Sequence, residues 1–117
     1  MIKSKVPLKL VKGTYCDDDD FYNLMEFRGY DIKKMIKDVK NKDTIDPIIV
    51  IDLEKVYRTW SSKDDNYKYA VQEGSEILKI VKDIIKKEGN FKTALIEVHI
   101  IDDFKKYREE NESEKLL

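Results

Sequence analysis

The least interrupted apolar run of the chain covers residues 47–53 and ends with a carboxylate followed by Leu53. Four β-branched residues follow one another in it: Ile48, Ile49, Val50 and Ile51. Such residues lose side-chain freedom in a helix but fit the pleated surface of a strand. A strand that is apolar on both faces must be covered on both faces, as in a parallel sheet between helices. The pattern therefore predicts an inner strand here.

Two weaker strand patterns lie on either side of this run. Near the start of the chain, Val6, Leu8 and Leu10 alternate with polar residues, which predicts a half-buried strand. Because Pro7 cannot donate a ladder hydrogen bond, we expect this strand at a sheet edge or beginning at Pro7. Residues 94–101 predict a third strand, with one apolar face and one mixed face that stays partly open beside the central strand.

Helical spacing begins directly after an acidic run at residues 17–20. Apolar residues recur at intervals of three and four from Phe21 to Val39. Asp20 is a suitable N-cap for this helix. Gly29 followed by Asp31 indicates a C-cap and then a new N-cap, so we expect a kink or two short helices.

The same spacing recurs across residues 67–85 and predicts one long helix that ends at Gly89. Gly74 lies inside the pattern, and the alternative is a helix that starts at Ser75. Residues 56–71 therefore form either a hairpin or a loop followed by a helix. We expect Asp102 to cap a final helix.

This element order, β-α(-α)-β-α-β-α, predicts a single α/β domain over residues 1–110. Right-handed crossovers favour a small, mostly parallel three-stranded sheet covered by helices. Residues 111–117 are expected to form a frayed polar tail.

Charge and composition narrow the partner classes. Charged residues make up 40% of the chain, yet the formal net charge is only −1. Nothing general therefore attracts the chain to nucleic acid, and we expect a protein partner instead. The chain lacks an apolar segment of the ~18–20 residues that a membrane span requires. Its single cysteine, Cys16, favours a reducing compartment, so we expect a cytoplasmic protein.

Carboxylates at the ends of two predicted strands suggest one kind of chemistry. Asp52, Glu54 and Asp102 would meet at the carboxyl edge of a parallel sheet, where ligands collect. Together they could hold Mg²⁺ for phosphoryl transfer or nucleic-acid hydrolysis. The simpler interpretation is that the two aspartates end strands or cap helices and Glu54 is solvated.

Acidic and aromatic side chains suggest a different role, that of a protein-binding surface. Carboxylates beside tyrosines can occupy a basic cleft on a partner, and Tyr and Trp are enriched at interface hot spots. A solvated loop that caps a helix is the alternative interpretation of the acidic run. The candidate binding residues are Asp17, Asp18, Asp19, Asp20, Tyr22, Tyr57, Trp60, Ser61 and Ser62.

Part of the chain, residues 27–62, resembles the STAS-like domains of bacterial regulatory proteins. The likeness comprises Arg28-Gly29, Ile32, Ile36, the strand from Ile48 to Val56, and the pair Ser61-Ser62. The resemblance implies that Ser61 or Ser62 is a phosphorylated switch, as in the anti-sigma-antagonist members. The element order is also similar to that of barstar-type nuclease inhibitors. Both resemblances imply a protein that acts by binding another protein.

The first hypothesis is therefore a small non-catalytic regulator or inhibitor, without a cofactor, that docks on a protein partner. An immunity or anti-defence protein would fit this description. A Mg²⁺-dependent phosphoryl-transfer enzyme or nuclease is the alternative. A third hypothesis is a structural role as a homo-oligomer, because the apolar stripe of residues 67–85 is broad enough for self-association.

Overall fold

The structure, a computed structural model, describes residues 1–15, 20–41 and 47–115. Strands and helices are both present, as expected for the α/β class. The strands are β1 (Ile2–Pro7), β2 (Val11–Lys12), β3 (Ile49–Asp52), β4 (Tyr69–Glu73) and β5 (Leu95–Ile100). The helices are α1 (Phe21–Phe27), α2 (Ile32–Asn41), α3 (Leu53–Val56), α4 (Ser62–Asp65), α5 (Ser75–Glu88) and α6 (Phe104–Lys115).

The predicted inner strand is β3, and it lies at the centre of the sheet. All four of its residues are buried. Val50 packs into the cluster on the α5 side, whereas Ile49 and Ile51 pack on the opposite face with Phe104 and Tyr107 of α6. A strand apolar on both faces is thus covered on both faces, which confirms the prediction from its β-branched run.

The prediction of three mostly parallel strands is wrong. Within the described residues, five strands form one mixed sheet in the order β1-β5-β3-β4-β2. The β1–β5 and β3–β4 pairs are antiparallel, while β3–β5 and β2–β4 are parallel. The missed strand is β4, whose Ala70 and Val71 pair with Ile51 and Val50.

The long helix predicted across residues 67–85 is consequently divided. Residues 69–73 form β4, and α5 begins at Ser75, as the alternative start proposed. Gly74 has a φ of +96°, a left-handed conformation that a continuous helix does not contain. Residues 57–68 are a loop that contains the short helix α4, and they form no hairpin strand.

Helix α5 is buried between two layers. Leu78, Ile77 and Val81 pack against the sheet, whereas Ile80 and Ile84 pack against α1 and α2 on the other side. The apolar stripe that the oligomer hypothesis relied on is therefore used inside the fold. The pair α1–α2 forms an outer layer, and no residue of α2 is fully buried.

The N-terminal segment contributes to both edges of the sheet. Its first strand lies at an edge, as expected, but ends at Pro7, and a 3-10 turn at Leu8–Leu10 leads to β2 at the other edge. In this turn, the Leu8 amide donates to the Ala94 carbonyl, and the Leu10 carbonyl accepts from the Lys68 amide.

This connection shows that the sheet is strongly curved. Four interstrand gaps of about 4.8 Å would separate the edges of a flat sheet by about 19 Å. The chain from Pro7 to Val11 spans at most about 15 Å, since successive Cα atoms are about 3.8 Å apart. The edges therefore curl toward each other, and α5 packs on the inner surface. Val6, Leu8 and Val11 are all buried there.

Several helix ends match the sequence signals. Gly29 adopts a φ of +90° between α1 and α2, and the Asp31 carboxylate accepts from the Lys34 amide as an N-cap. Gly89 ends α5 with a φ of +83°. The expected cap of α6 is wrong by one residue, because Asp103, not Asp102, accepts from the Lys106 amide. The same helix runs to Lys115 and includes part of the predicted tail.

Candidate interaction surface

The acidic run is flanked by aromatic rings that contact one another. Asp17, Asp18 and Asp19 lie outside the described residues. Tyr15, before the run, has its ring centroid 5.2 Å from that of Phe21, the first residue of α1. Phe21 is fully buried, so this contact anchors both flanks of the run to the core. The chain thus holds the two ends of the acidic segment together at the start of α1.

The start of α1 is joined to α5 by a polar network. The Tyr22 hydroxyl donates to Asp83 Oδ2 at 2.8 Å, and Lys79 Nζ lies 3.2 Å from Asp83 Oδ1. Burial, followed by the hydrogen bond to Asp83, raises the pKa of Tyr22 above its usual value. Tyr22 therefore stays protonated and keeps donating. Its hydroxyl secures α1 on α5, and its ring stacks edge-on against Phe21 at 5.1 Å.

Asp20 occupies the N-cap position of α1, as expected, but not with the expected bond. Its side chain makes no capping hydrogen bond, while its carbonyl accepts from the Leu24 amide. The residue is exposed. Its side chain therefore lies at the surface, beside the positive end of the helix dipole.

The other end of α1 carries two exposed aromatic residues that the sequence interpretation did not select. Phe27 is 89% exposed and Tyr30 is 50% exposed. They lie on either side of the turn at Arg28 and Gly29. The positive φ of Gly29 redirects the chain into α2. A signal for Phe27 was present, since it falls outside the apolar stripe formed by Phe21, Leu24 and Met25.

The second candidate region, residues 57–62, is largely engaged within the fold. Trp60 Nε1 donates to the Tyr67 carbonyl at 2.9 Å, and the ring packs against the core on the α6 side. Ser61 caps α4 by accepting from the Lys63 amide. Ser62 is the first residue of that helix, and its side chain lies outside the description. Tyr57 is 50% exposed, and the exposed residues Arg58 and Thr59 follow it, so this part of the region is open to a partner.

The three carboxylates proposed for Mg²⁺ have separate local roles. Asp52 is buried and caps α3, accepting from the Glu54 amide at 3.1 Å. Glu54 is exposed. Asp102 Oδ2 lies 3.6 Å from the Met1 amine. A backbone hydrogen bond, followed by the charge of that amine, lowers the pKa of Asp102. Within residues 1–15, 20–41 and 47–115, no three His, Cys, Asp or Glu side chains cluster as metal ligands would.

Among the helices that the structure describes, none is long and apolar enough to cross a membrane. Comparisons with known proteins give no assignment for this surface: no family model, no curated protein and no solved structure matches the chain.

Proposed function

We propose that this protein is a small non-catalytic regulator or inhibitor that docks on a protein partner through α1. The docking surface comprises the acidic run before the helix and the exposed pair Phe27 and Tyr30 after it. The observation that carries the proposal is the 89% exposure of Phe27 beside a half-exposed tyrosine. The partner would offer an apolar pocket for Phe27 and a basic rim for the aspartates.

The dimensions of α1 support a single contact patch. Seven helical residues span about 10 Å, so the acidic and aromatic ends lie within one standard interface of about 800 Å² per partner. Full burial of a large apolar side chain contributes about 1.5–3 kcal/mol. Phe27 thus has the size and exposure of an anchor residue, and Tyr30 belongs to a residue type enriched at hot spots.

The charges of the acidic run would act mainly on the rate of association. Exposed charges steer a partner of opposite charge toward the docking geometry, and added salt weakens this steering.

Affinity capture with matched variants tests the aromatic anchor. The bait proteins are the wild type, Phe27→Asp, and Leu95→Asp as a control. Leu95 is another exposed apolar residue, at 59% exposure, on β5. We expect a protein that the wild type and Leu95→Asp both recover and that Phe27→Asp loses. Equal recovery by all three baits would refute the role of Phe27.

The recovered partner then allows a kinetic test of the acidic run. Reversing two charges with Asp18→Lys and Asp19→Lys should lower the association rate constant about tenfold or more at low salt. The salt dependence should fall as well, while the melting temperature stays nearly unchanged. Unaltered association would remove the acidic run from the interface. Assaying the partner's activity with and without this protein shows whether docking regulates it.

A further inference from the structure

Distant chain segments that carry lysines meet around the Leu8–Leu10 turn. The turn's hydrogen bonds to Ala94 and Lys68 bring the starts of β5 and β4 together beside it. Residues 7–12, 67–71 and 89–95 contain four lysines and no acidic residue. Helix α5 adds two more lysines. We call this surface the basic pole; it comprises Lys9, Lys12, Lys68, Lys82, Lys86 and Lys92.

Two aromatic rings order the ammonium groups of the basic pole. Lys12 Nζ lies 5.9 Å from the centroid of Tyr67, and Lys82 Nζ lies 5.6 Å from the same ring. Phe91 has Lys82 Nζ at 5.9 Å and Lys86 Nζ at 4.9 Å. All four distances lie within the ~6 Å range of cation–π attraction. The rings and ammonium groups thus alternate along one row.

The middle lysine of this row is part of the fold. Lys82 is 3% exposed, and its Nζ donates to the Val11 carbonyl on β2. Its side chain lies beneath the surface, whereas Lys12 and Lys86 are exposed and can be contacted by a ligand. Two acids of α5 lie near these lysines in the sequence. Asp83 has its carboxylate bound to Tyr22 and Lys79, and Glu88, at the end of the helix, is exposed.

We infer that the basic pole binds a phosphate-rich anion, either a free polyphosphate or the backbone of a single-stranded nucleic acid. The lysines repel one another, and a multiply charged anion relieves that repulsion. Ammonium groups are point-charge donors that suit phosphate oxygens. The rings pre-order the lysine side chains and so lower the entropy lost on binding. This inference is independent of the α1 docking proposal, because it rests on lysines and aromatic rings that the docking proposal does not use.

Two probes test the inference and separate the two sources. Inorganic triphosphate is titrated by calorimetry, and a labelled thymidine oligonucleotide of ~10 nucleotides is followed by fluorescence anisotropy, both at ~10 mM salt, where the Debye length is ~30 Å. Binding of triphosphate supports a free polyphosphate, and binding of the oligonucleotide alone supports a nucleic-acid backbone. Binding of neither probe, or equally tight binding of polyglutamate, would overturn the inference.

Charge reversal localises the site. Lys12→Glu combined with Lys86→Glu should weaken binding at least about tenfold and reduce the salt slope by about two. The control combines Lys105→Glu and Lys106→Glu, two exposed lysines in the first turn of α6, on the opposite face of the sheet. It changes the net charge equally, so an equal loss would assign the binding to overall charge and refute the basic pole.

Discussion

Replacing Gly74 by alanine tests the connection between β4 and α5. The sign of the change in stability distinguishes this connection from a continuous helix. A Cβ atom at this position would lie 3.2 Å from Ile48 Cα and 3.3 Å from Ile48 Cγ1. The backbone there has a φ of +96°. Had residues 67–85 formed one continuous helix, Gly74→Ala would stabilise the protein by about 1 kcal/mol. In the observed fold it must destabilise.

The magnitude follows from two separate costs. A non-glycine residue in the left-handed region costs about 1–2 kcal/mol. Forcing a methyl group against the Ile48 backbone adds about 1–3 kcal/mol of overpacking. Gly89→Ala isolates the first cost, because Gly89 has a φ of +83° and no atom within 4 Å of the added Cβ. We therefore expect Gly74→Ala to cost more than Gly89→Ala by about 1–3 kcal/mol.

Urea denaturation measures both variants directly. The two costs add to about 2–5 kcal/mol, and with an m-value of about 2 kcal/mol/M this loss lowers the midpoint by about 1–2.5 M. The slope m should stay constant, so that the midpoints report stability alone. Equal losses in the two variants would show that Gly74 is not pressed against Ile48. A gain in stability at Gly74 would refute the strand–glycine–helix arrangement itself.

Two further predictions follow from burial and ionisation. Phe21→Ala should lower the free energy of unfolding by about 3–5 kcal/mol because Phe21 is fully buried, whereas Phe27→Ala should change it by no more than about 0.5 kcal/mol. Urea midpoints measure both changes, and a large loss of stability at Phe27 would contradict its exposure. The fold raises the pKa of two tyrosines. The pKa of Tyr22 lies above its usual value, and that of Tyr107 is raised to about 12 by burial and, next, by a hydrogen bond to Glu73. Both hydroxyls therefore ionise more readily in the unfolded chain, so stability is full below about pH 10 and falls as the pH rises toward 12. Melting temperatures at pH 9 and 11 should show this fall, and Tyr22→Phe with Tyr107→Phe should reduce it; an undiminished fall would assign it to other groups.

The sequence predicted correctly those helices and strands that are determined by residues close together in the chain. The β-branched run identified β3, and the Gly29 and Asp31 pair identified the break between α1 and α2. The strand β4 was missed because Tyr67, Ala70 and Val71 satisfy helical spacing, and five residues are too few to separate periods of 2 and 3.6. What makes this segment a strand is pairing with β3, a contact between segments about twenty residues apart.

The candidate surfaces were predictable to different degrees. The acidic run was visible in the sequence, whereas the contact between Tyr15 and Phe21, which flank it, was not. Phe27 could have been selected because it is an apolar residue outside the apolar stripe of α1. The basic pole could not have been predicted, since its lysines come from four segments that only the curved sheet brings together. In the sequence, each of them is interleaved with apolar residues or acids.

The placement of the first twelve residues has a consequence for how the chain folds. Strand β1 pairs with β5, which follows about ninety positions later, and β2 pairs with β4. Contacts between such distant positions slow folding, because a large loop must close before they form. During synthesis, β1 must wait until β5 has left the ribosome before it gains its neighbour. A chaperone that shields residues 1–12 would therefore protect both edges of the nascent sheet together.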